Sequence, residues 1–426
     1  MPPVSADIGA YLSRFAPSIE VALPQRLLTA RSEAEARLGE LGLPRRQDEY
    51  WKYTDPQIFL RPWEVNPPEP RFVPALLEDA CLVVHEGGNF HWPQKEPHDS
   101  QSVRMFNLVD AMNSASRETI DLFGRLEGEA HAVIPRPLAA ANTCIASRGL
   151  VIECPADGQA ALQIVHRPNQ VSGESILHHV IDVCPNSHLR IVESGIDSSW
   201  SNIVFEIRVR KGATFDLVRA IDGTGGAALK GVCSVFAEVE EDGCFNLFNL
   251  SLNTPWIRNE SIVKLSGDRS QISLAGAVVG GSGTHHDDTV LIVHEGLACQ
   301  SRQVFKKVLR HGAQAVFQGK ILVRPGAQKT DGYQLSQGLL LDGHSQFLAK
   351  PELEIYADDV ACSHGSTSGG VDAAAMFYLR SRGIGKAEAE KILALAFVAE
   401  AIEEVADAYL VEKLTDLAAS GFAEAV

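Results

Sequence analysis

Ile203-Val204-Phe205-Glu206-Ile207-Arg208-Val209-Arg210-Lys211-Gly212-Ala213 places an apolar side chain at every second position and then stops at a glycine. That is the period of an extended strand with one buried face, ended by a turn. The same rhythm recurs in Val235-x-Ala237-x-Val239 and in Ile321-x-Val323. From about Leu150 to Val360 helical periodicity is almost absent. Turn-like points punctuate the region at Pro185-Asn186, Gly212-Ala213, Gly243-Cys244, Gly312-Ala313, Gly326-Ala327 and Gly343-His344. The late points lie 14 and 17 residues apart (312 to 326 to 343) and the early ones 27 and 31 (185 to 212 to 243). Many short strands with near-regular turns suit a sandwich, a barrel or a β-solenoid. The doubling of the spacing favours a solenoid whose coil carries two strands and two turns. Such a stack leaves an unpaired ladder at each end, and helices flank the region in sequence, as end caps would.

A chain of 426 residues buries a sizeable core and divides into two or three domains. The reading here is a mostly helical part over 1–145, a β core over 146–365 and a helical part over 366–426. The net charge of −16 sets the chain against phosphate backbones and anionic lipid, so neither nucleic acid nor a membrane is expected as a partner. No run reaches the roughly 18 apolar residues of a membrane span. The opening MPPVSADIGAYLSRF lacks the features of a signal peptide, and a cytoplasmic protein is expected. Eight cysteines are scattered without a Cys-x-x-Cys pair, which fits buried small hydrophobes better than a zinc knuckle or an iron–sulfur ligand run.

In the first 60 residues the pattern is helical, interrupted at Ile19-Glu20-Val21-Ala22-Leu23-Pro24 and resumed over Ala34–Leu41. Trp51 and Tyr53, in an aromatic cluster, are read as packing on a neighbouring element. Prolines at 56, 62, 67, 68, 70 and 74 mark loops; Cys81–Val84 reads as a strand and Val109–Leu126 as one helix. Near the other end, Asp372 is placed to cap a helix and Gly383 to end it. Lys386–Leu417 then reads as an amphipathic helical segment, with Ile392, Leu395, Ala396, Ala399, Ile402, Ala406, Tyr409 and Leu410 on the face packed against the solenoid end. Leu393, Phe397 and Val398 widen the apolar surface and leave room for a partner.

Catalytic templates are missing. There is no Gly-x-Ser-x-Gly elbow, and Gly319-Lys320 and Gly385-Lys386 lack the Ser or Thr of a P-loop, so any ATP must be bound by another chain. His85-Glu86 and His294-Glu295 lack the second histidine of a zinc helix. His285-His286-Asp287-Asp288 alternates faces on a strand, and a solvated turn or strand edge is favoured there over a metal site. Cys362 and His364 are the most suggestive pair, in a polar turn, Cys362-Ser363-His364-Gly365, that follows the strand around Leu353 and Ile355. Residues i and i+2 of an extended segment project to one side, so thiolate and imidazole can converge on a soft metal ion. The alternative is a hydrogen-bonded structural turn.

Several of these stretches together resemble the SufB/SufD family of iron–sulfur cluster assembly scaffolds, on its SufD side. The resemblance is carried by Ser301–Lys306, Val316–Ile321, Arg324–Asp331, Lys350–Val360, Cys362–Gly365, Phe377–Ile384 and Glu49-x-Trp51-Lys52-Tyr53-Thr54. It implies a right-handed parallel β-helix between helical domains, and a non-catalytic subunit that works with SufB and the ATPase SufC on a nascent iron–sulfur cluster. It points to His364, with Cys362 beside it, as a ligand completed by SufB across an interface, and to no cofactor held tightly by the isolated chain. It further implies ATPase contacts from Asp372 onward through Phe377, Tyr378, Leu379, Arg380 and Arg382. The open edges of the last coils, near Gln328 to Val360, call for a dimer, homodimeric when the chain is alone. The stretch Gln334-Leu335-Ser336-Gln337-Gly338 has no cysteine where SufB carries one, and Ser363-His364-Gly365 replaces the Glu-His-Glu of SufB. Both departures set the chain on the SufD side. The competing class is a carbohydrate-active β-helix enzyme, a polysaccharide lyase or hydrolase, which would normally show secretion signals and clustered carboxylates.

Overall fold

Alternating apolar residues need a second surface to bury their common face, and here two sheets supply it for each other. The computed structural model describes residues 6–15, 23–62, 76–86, 88–92, 102–167, 173–196, 198–223 and 229–423. Of the expected break over residues 19–24, only Leu23 and Pro24 lie within them, and the prolines at 67, 68, 70 and 74 lie outside. The N-terminal part holds helices α1 (Ala6–Ser13), α2 (Gln25–Leu41) and α3 (Gln57–Leu60) and strands β1 (Cys81–Glu86), β2 (Asn89–His91) and β3 (Arg104–Asn107). Helices α4 (Leu108–Ser114), α5 (Arg117–Ile120), α6 (Arg125–His131) and α7 (Pro137–Ile145) follow. The single helix expected over Val109–Leu126 is thus three. Ser116 caps the second with its side chain, and Gly124, at φ 75°, turns the chain into the third.

Sixteen strands then wind in alternation between two sheets. In order they are β4 (Leu150–Cys154), β5 (Gln159–His166), β6 (Glu174–Val183), β7 (His188–Gly195), β8 (Trp200–Val209), β9 (Thr214–Asp222), β10 (Lys230–Val239) and β11 (Cys244–Leu252). They continue as β12 (Trp256–Leu265), β13 (Gln271–Gly280), β14 (His285–His294), β15 (Gln300–Leu309), β16 (Gln314–Val323), β17 (Thr330–Leu340), β18 (Gln346–Ile355) and β19 (Val360–Gly369). Odd strands from β5 to β19 pair in parallel in one sheet and even strands from β4 to β18 in the other, making a parallel β-solenoid of about seven coils. One corner of each coil carries a left-handed residue, in succession Asp157, Asn186, Gly212, Asp242, Arg269, Ala298 and Lys329. Each of these donates its backbone N–H to a carbonyl of the coil that follows, so the turns stack as the strands do.

Leu189, Phe215, Phe245, Ile272 and their neighbours from both sheets fill the lumen. The outward faces are also apolar and are covered by helices on the flanks, not at the ends as expected. On the even sheet, Val180, Val204, Phe236, Ile262 and Leu291 pack beneath the N-terminal helices. On the odd sheet, Val218, Phe248, Leu250, Ala277 and Val304 pack beneath the C-terminal ones. Those are α8 (Ala373–Ser381), α9 (Lys386–Ile402) and α10 (Ala408–Ala423), so the segment expected as one amphipathic stretch breaks between Ile402 and Ala408. Its buried face keeps Ile402 and Leu410 of the expected one but shifts elsewhere: Ala394, Val398 and Ala401 are buried, whereas Ile392 is exposed. A helix apolar on several sides is oriented by the surface it meets.

The two ends of the solenoid are unlike. At the N-terminal end β2 pairs antiparallel with β1 and β3 antiparallel with β4, which closes off the parallel ladders. At the other end β18 and β19 each pair on one side only. No residue of either strand is buried.

Candidate functional site at the open end of the solenoid

Cys362-Ser363-His364-Gly365 is not a turn. It lies within β19, in register with Gly332-Tyr333-Gln334-Leu335 of β17. Glycine and serine favour turns locally, but the ladder to β17 decides. The strand before it is β18, and the turn falls earlier, over residues 356–359.

Within β19, Cys362 and His364 share a face, as i and i+2 must. Cys362 tops the lumen column Leu189, Phe215, Phe245, Ile272, Ser301, Gly332. His364 tops the adjoining column Ile191, Leu217, Leu247, Leu274, Gln303, Gln334. The two differ in environment. Cys362 is half-buried beside Ile321, Val323, Ala327 and Leu353, and its Sγ fills the space left by the missing side chain of Gly332. Burial pushes its thiol up, away from the thiolate that a metal needs. His364 is exposed at the rim. One imidazole and one thiol are two donors, and among the described residues no group of three or more His, Cys, Asp or Glu is placed to hold a metal ion. Two donors do not complete a tetrahedral soft-metal site.

Beside the rim, β19 leads through Gly369 and Gly370 into α8, and Asp372 caps that helix by accepting from the N–H of Ala375. Gly383, at φ 87°, follows its end, as a C-terminal glycine should. Helix α8 buries none of its residues. Phe377 is 75% exposed and Tyr378 58%, while Arg382 stacks over the Tyr378 ring at 5.1 Å. Arg380 is exposed and Leu379 half-buried. Two large aromatics are thus left in water on one short helix.

His285-His286-Asp287-Asp288 corrects the expectation of a solvated edge, because all four are buried in the middle of the even sheet. The outward pair serves the N-terminal part: Asp287 pairs with Arg258 and accepts from Thr54, and His285 stacks on Trp256. The inward pair lies in the lumen, where Asp288 pairs with Lys307 at 2.7 Å and His286 meets Ser251 at 3.1 Å. Charges balanced this way hold elements together and leave no open coordination position. Trp51 packs as expected, against Phe59 and over Arg258.

A family profile, SUF system FeS cluster assembly, SufBD core domain, matches residues 166–397, more than half of the chain. The chain belongs to the SufBD family. It is similar to the iron–sulfur cluster assembly protein SufD of Escherichia coli K12, 28% identical over 401 residues that span 89% of this chain and 90% of that one. Local similarity is higher to a SufBD family protein of Synechocystis, 41% identical over 132 residues that cover 31% of this chain and 28% of that one. The SufD of Bacillus subtilis is 32% identical over 147 residues, 34% of each chain. Family membership accounts for the solenoid. No helix among the described residues is long and apolar enough to cross a membrane.

Sequence reasoning missed one feature of the site. Gln303 and Gln334 stand directly beneath His364 in its column, wholly buried. Stacking the sequence at the coil period, with Gln303, Gln334 and His364 about 30 residues apart, is the signal that finds them.

Proposed function

We propose that this chain is a non-catalytic scaffold subunit of the SUF machinery, which builds a nascent iron–sulfur cluster together with SufB and the ATPase SufC. The observation that carries the reading is the uncapped last coil, where His364 stands exposed on two strands that each lack a neighbour. An open parallel ladder is completed by another chain's strands, so this end is the expected contact with SufB, and with a second copy when the chain is alone.

The cluster is cargo, assembled between subunits and passed on. His364 contributes its imidazole, SufB supplies the sulfur ligands, and Cys362 plays a lesser part because its thiol is packed into the apolar end of the lumen. An imidazole in place of one thiolate makes a cluster less negative and its site looser, which suits release. Helix α8, with Phe377, Tyr378, Leu379, Arg380 and Arg382, is the proposed contact for SufC. The work is done in the cytoplasm, and the isolated chain holds no cofactor tightly.

Co-expression with SufB and SufC, anaerobic purification and an absorption spectrum test the proposal. A stable three-protein complex with the charge-transfer bands of an iron–sulfur chromophore is expected. A chain that enters no complex with either protein contradicts it.

A further inference from the structure

The column beneath His364 changes character partway along the solenoid. From β7 to β13 it is Ile191, Leu217, Leu247 and Leu274, the ordinary filling of a lumen. In the next two coils it becomes Gln303 and Gln334, each 0% exposed, and then His364. A primary amide in place of a leucine in a dry core is costly unless its donors and acceptor are used. Neither amide has a hydrogen-bond partner on its oxygen or its nitrogen. The packing makes room for them nonetheless: the side-chain oxygen of Gln334 crosses the lumen to Gly319, 2.5 Å from where a Cβ at that position would stand. Two buried amides with unspent capacity, stacked in register under one exposed imidazole, call for a function that leucine cannot perform.

We propose that Gln334, supported by Gln303 one coil deeper, is a positioning residue for the imidazole of His364. This rests on the reading of His364 as a ligand of the cargo cluster. A ligating imidazole uses the lone pair of one ring nitrogen and carries a proton on the other, and an acceptor for that proton fixes both tautomer and ring orientation. Gln334 is the residue in register below, and its unpartnered amide oxygen accepts that N–H by turning from Gly319 towards the rim. Its own NH2 group then donates to Gln303, as amides do along in-register parallel strands. The amide column thus gives His364 a polar floor that selects which nitrogen faces the subunit interface.

The test uses Gln334→Leu, which continues the leucines of the earlier coils, with Gln334→Glu as the variant that keeps an acceptor oxygen. The full chain, labelled with 15N-histidine, reports the tautomer of His364, its signals assigned by their loss in His364→Ala. Iron(II) binding by the complex with SufB and SufC is measured anaerobically in parallel. Gln334→Leu should turn one dominant His364 tautomer into the mixture of a free imidazole and weaken iron(II) binding by about 10- to 100-fold, with recovery in Gln334→Glu. Gln303→Leu should move the same signals less, and it decides the matter if Gln334→Leu does not fold. Unchanged His364 signals in both leucine variants overturn the proposal. If the signals move but His364→Ala keeps full iron content, positioning stands and the ligand reading falls.

Discussion

The guanidinium of Arg258 lies 4.0 Å from the centre of the Trp51 ring and pairs with Asp287 beneath it. This stack joins the N-terminal part to the even sheet. Arg258 and Asp287 are both fully buried, so removing one partner strands a charge. Arg258 also pairs with the buried Glu260 at 2.9 Å, so Arg258→Met should destabilise the fold by about 3–5 kcal/mol in urea unfolding, and Arg258→Met with Asp287→Leu should recover part of that loss. Equal loss in single and double variants would show that the pair is not what joins the two parts.

The C-terminal helices give a second prediction. Val398→Asp places a charge against the odd sheet, next to Val304 and Val308, and should cost more than about 4 kcal/mol or release α9 and α10 to proteolysis. Ile392→Asp, on the exposed side, should stay within about 0.5 kcal/mol of the parent. The reverse order in thermal melts would favour the face read from periodicity.

Stability should fall on mild acidification. Burial holds His179 at about 3 and His286 and His294 at about 4, against an ordinary 6.5. Above pH 6.5 folded and unfolded chains bind the same protons at these sites. Below it the unfolded chain takes up protons that the folded chain refuses, and stability drains until the folded values are reached. Asp182 and Asp216, held below the usual aspartate value, act only at lower pH. The urea midpoint should therefore decline from pH 7 to pH 5, and His294→Gln should remove about 1–2 kcal/mol of that decline. A flat midpoint over this range would contradict the account.

The isolated chain should bind no ATP, since Gly319-Lys320 and Gly385-Lys386 lack the residues that cradle phosphates. Calorimetry with the purified chain should show no heat of binding, and micromolar affinity would overturn this.

How far the sequence disclosed all this depended on whether one strand or one helix held the information. Ile203, Phe205, Ile207 and Val209 announce their strand because one face is apolar. The turn spacing announces the two-strand coil, and Asp372 and Gly383 announce α8. His285 to Asp288 read as an edge because both faces of their strand are polar, and partners from other coils, Arg258 and Lys307 above all, make burial tolerable. Ile392 and Val398 exchanged roles because a helix apolar on several sides does not say which side meets the sheet. Gln303 and Gln334 look like surface residues until the coils are stacked.

The central claim concerns His364, and the most direct measurement is iron and acid-labile sulfide per complex with SufB and SufC. His364→Ala, Cys362→Ser and the parent are purified anaerobically, with gel filtration to show that each still assembles. His364→Ala should lose most or all of its cluster while the complex stays intact, and Cys362→Ser should lose less. Full iron and sulfide in His364→Ala would contradict the assignment and leave the rim of the solenoid a docking edge without a ligand.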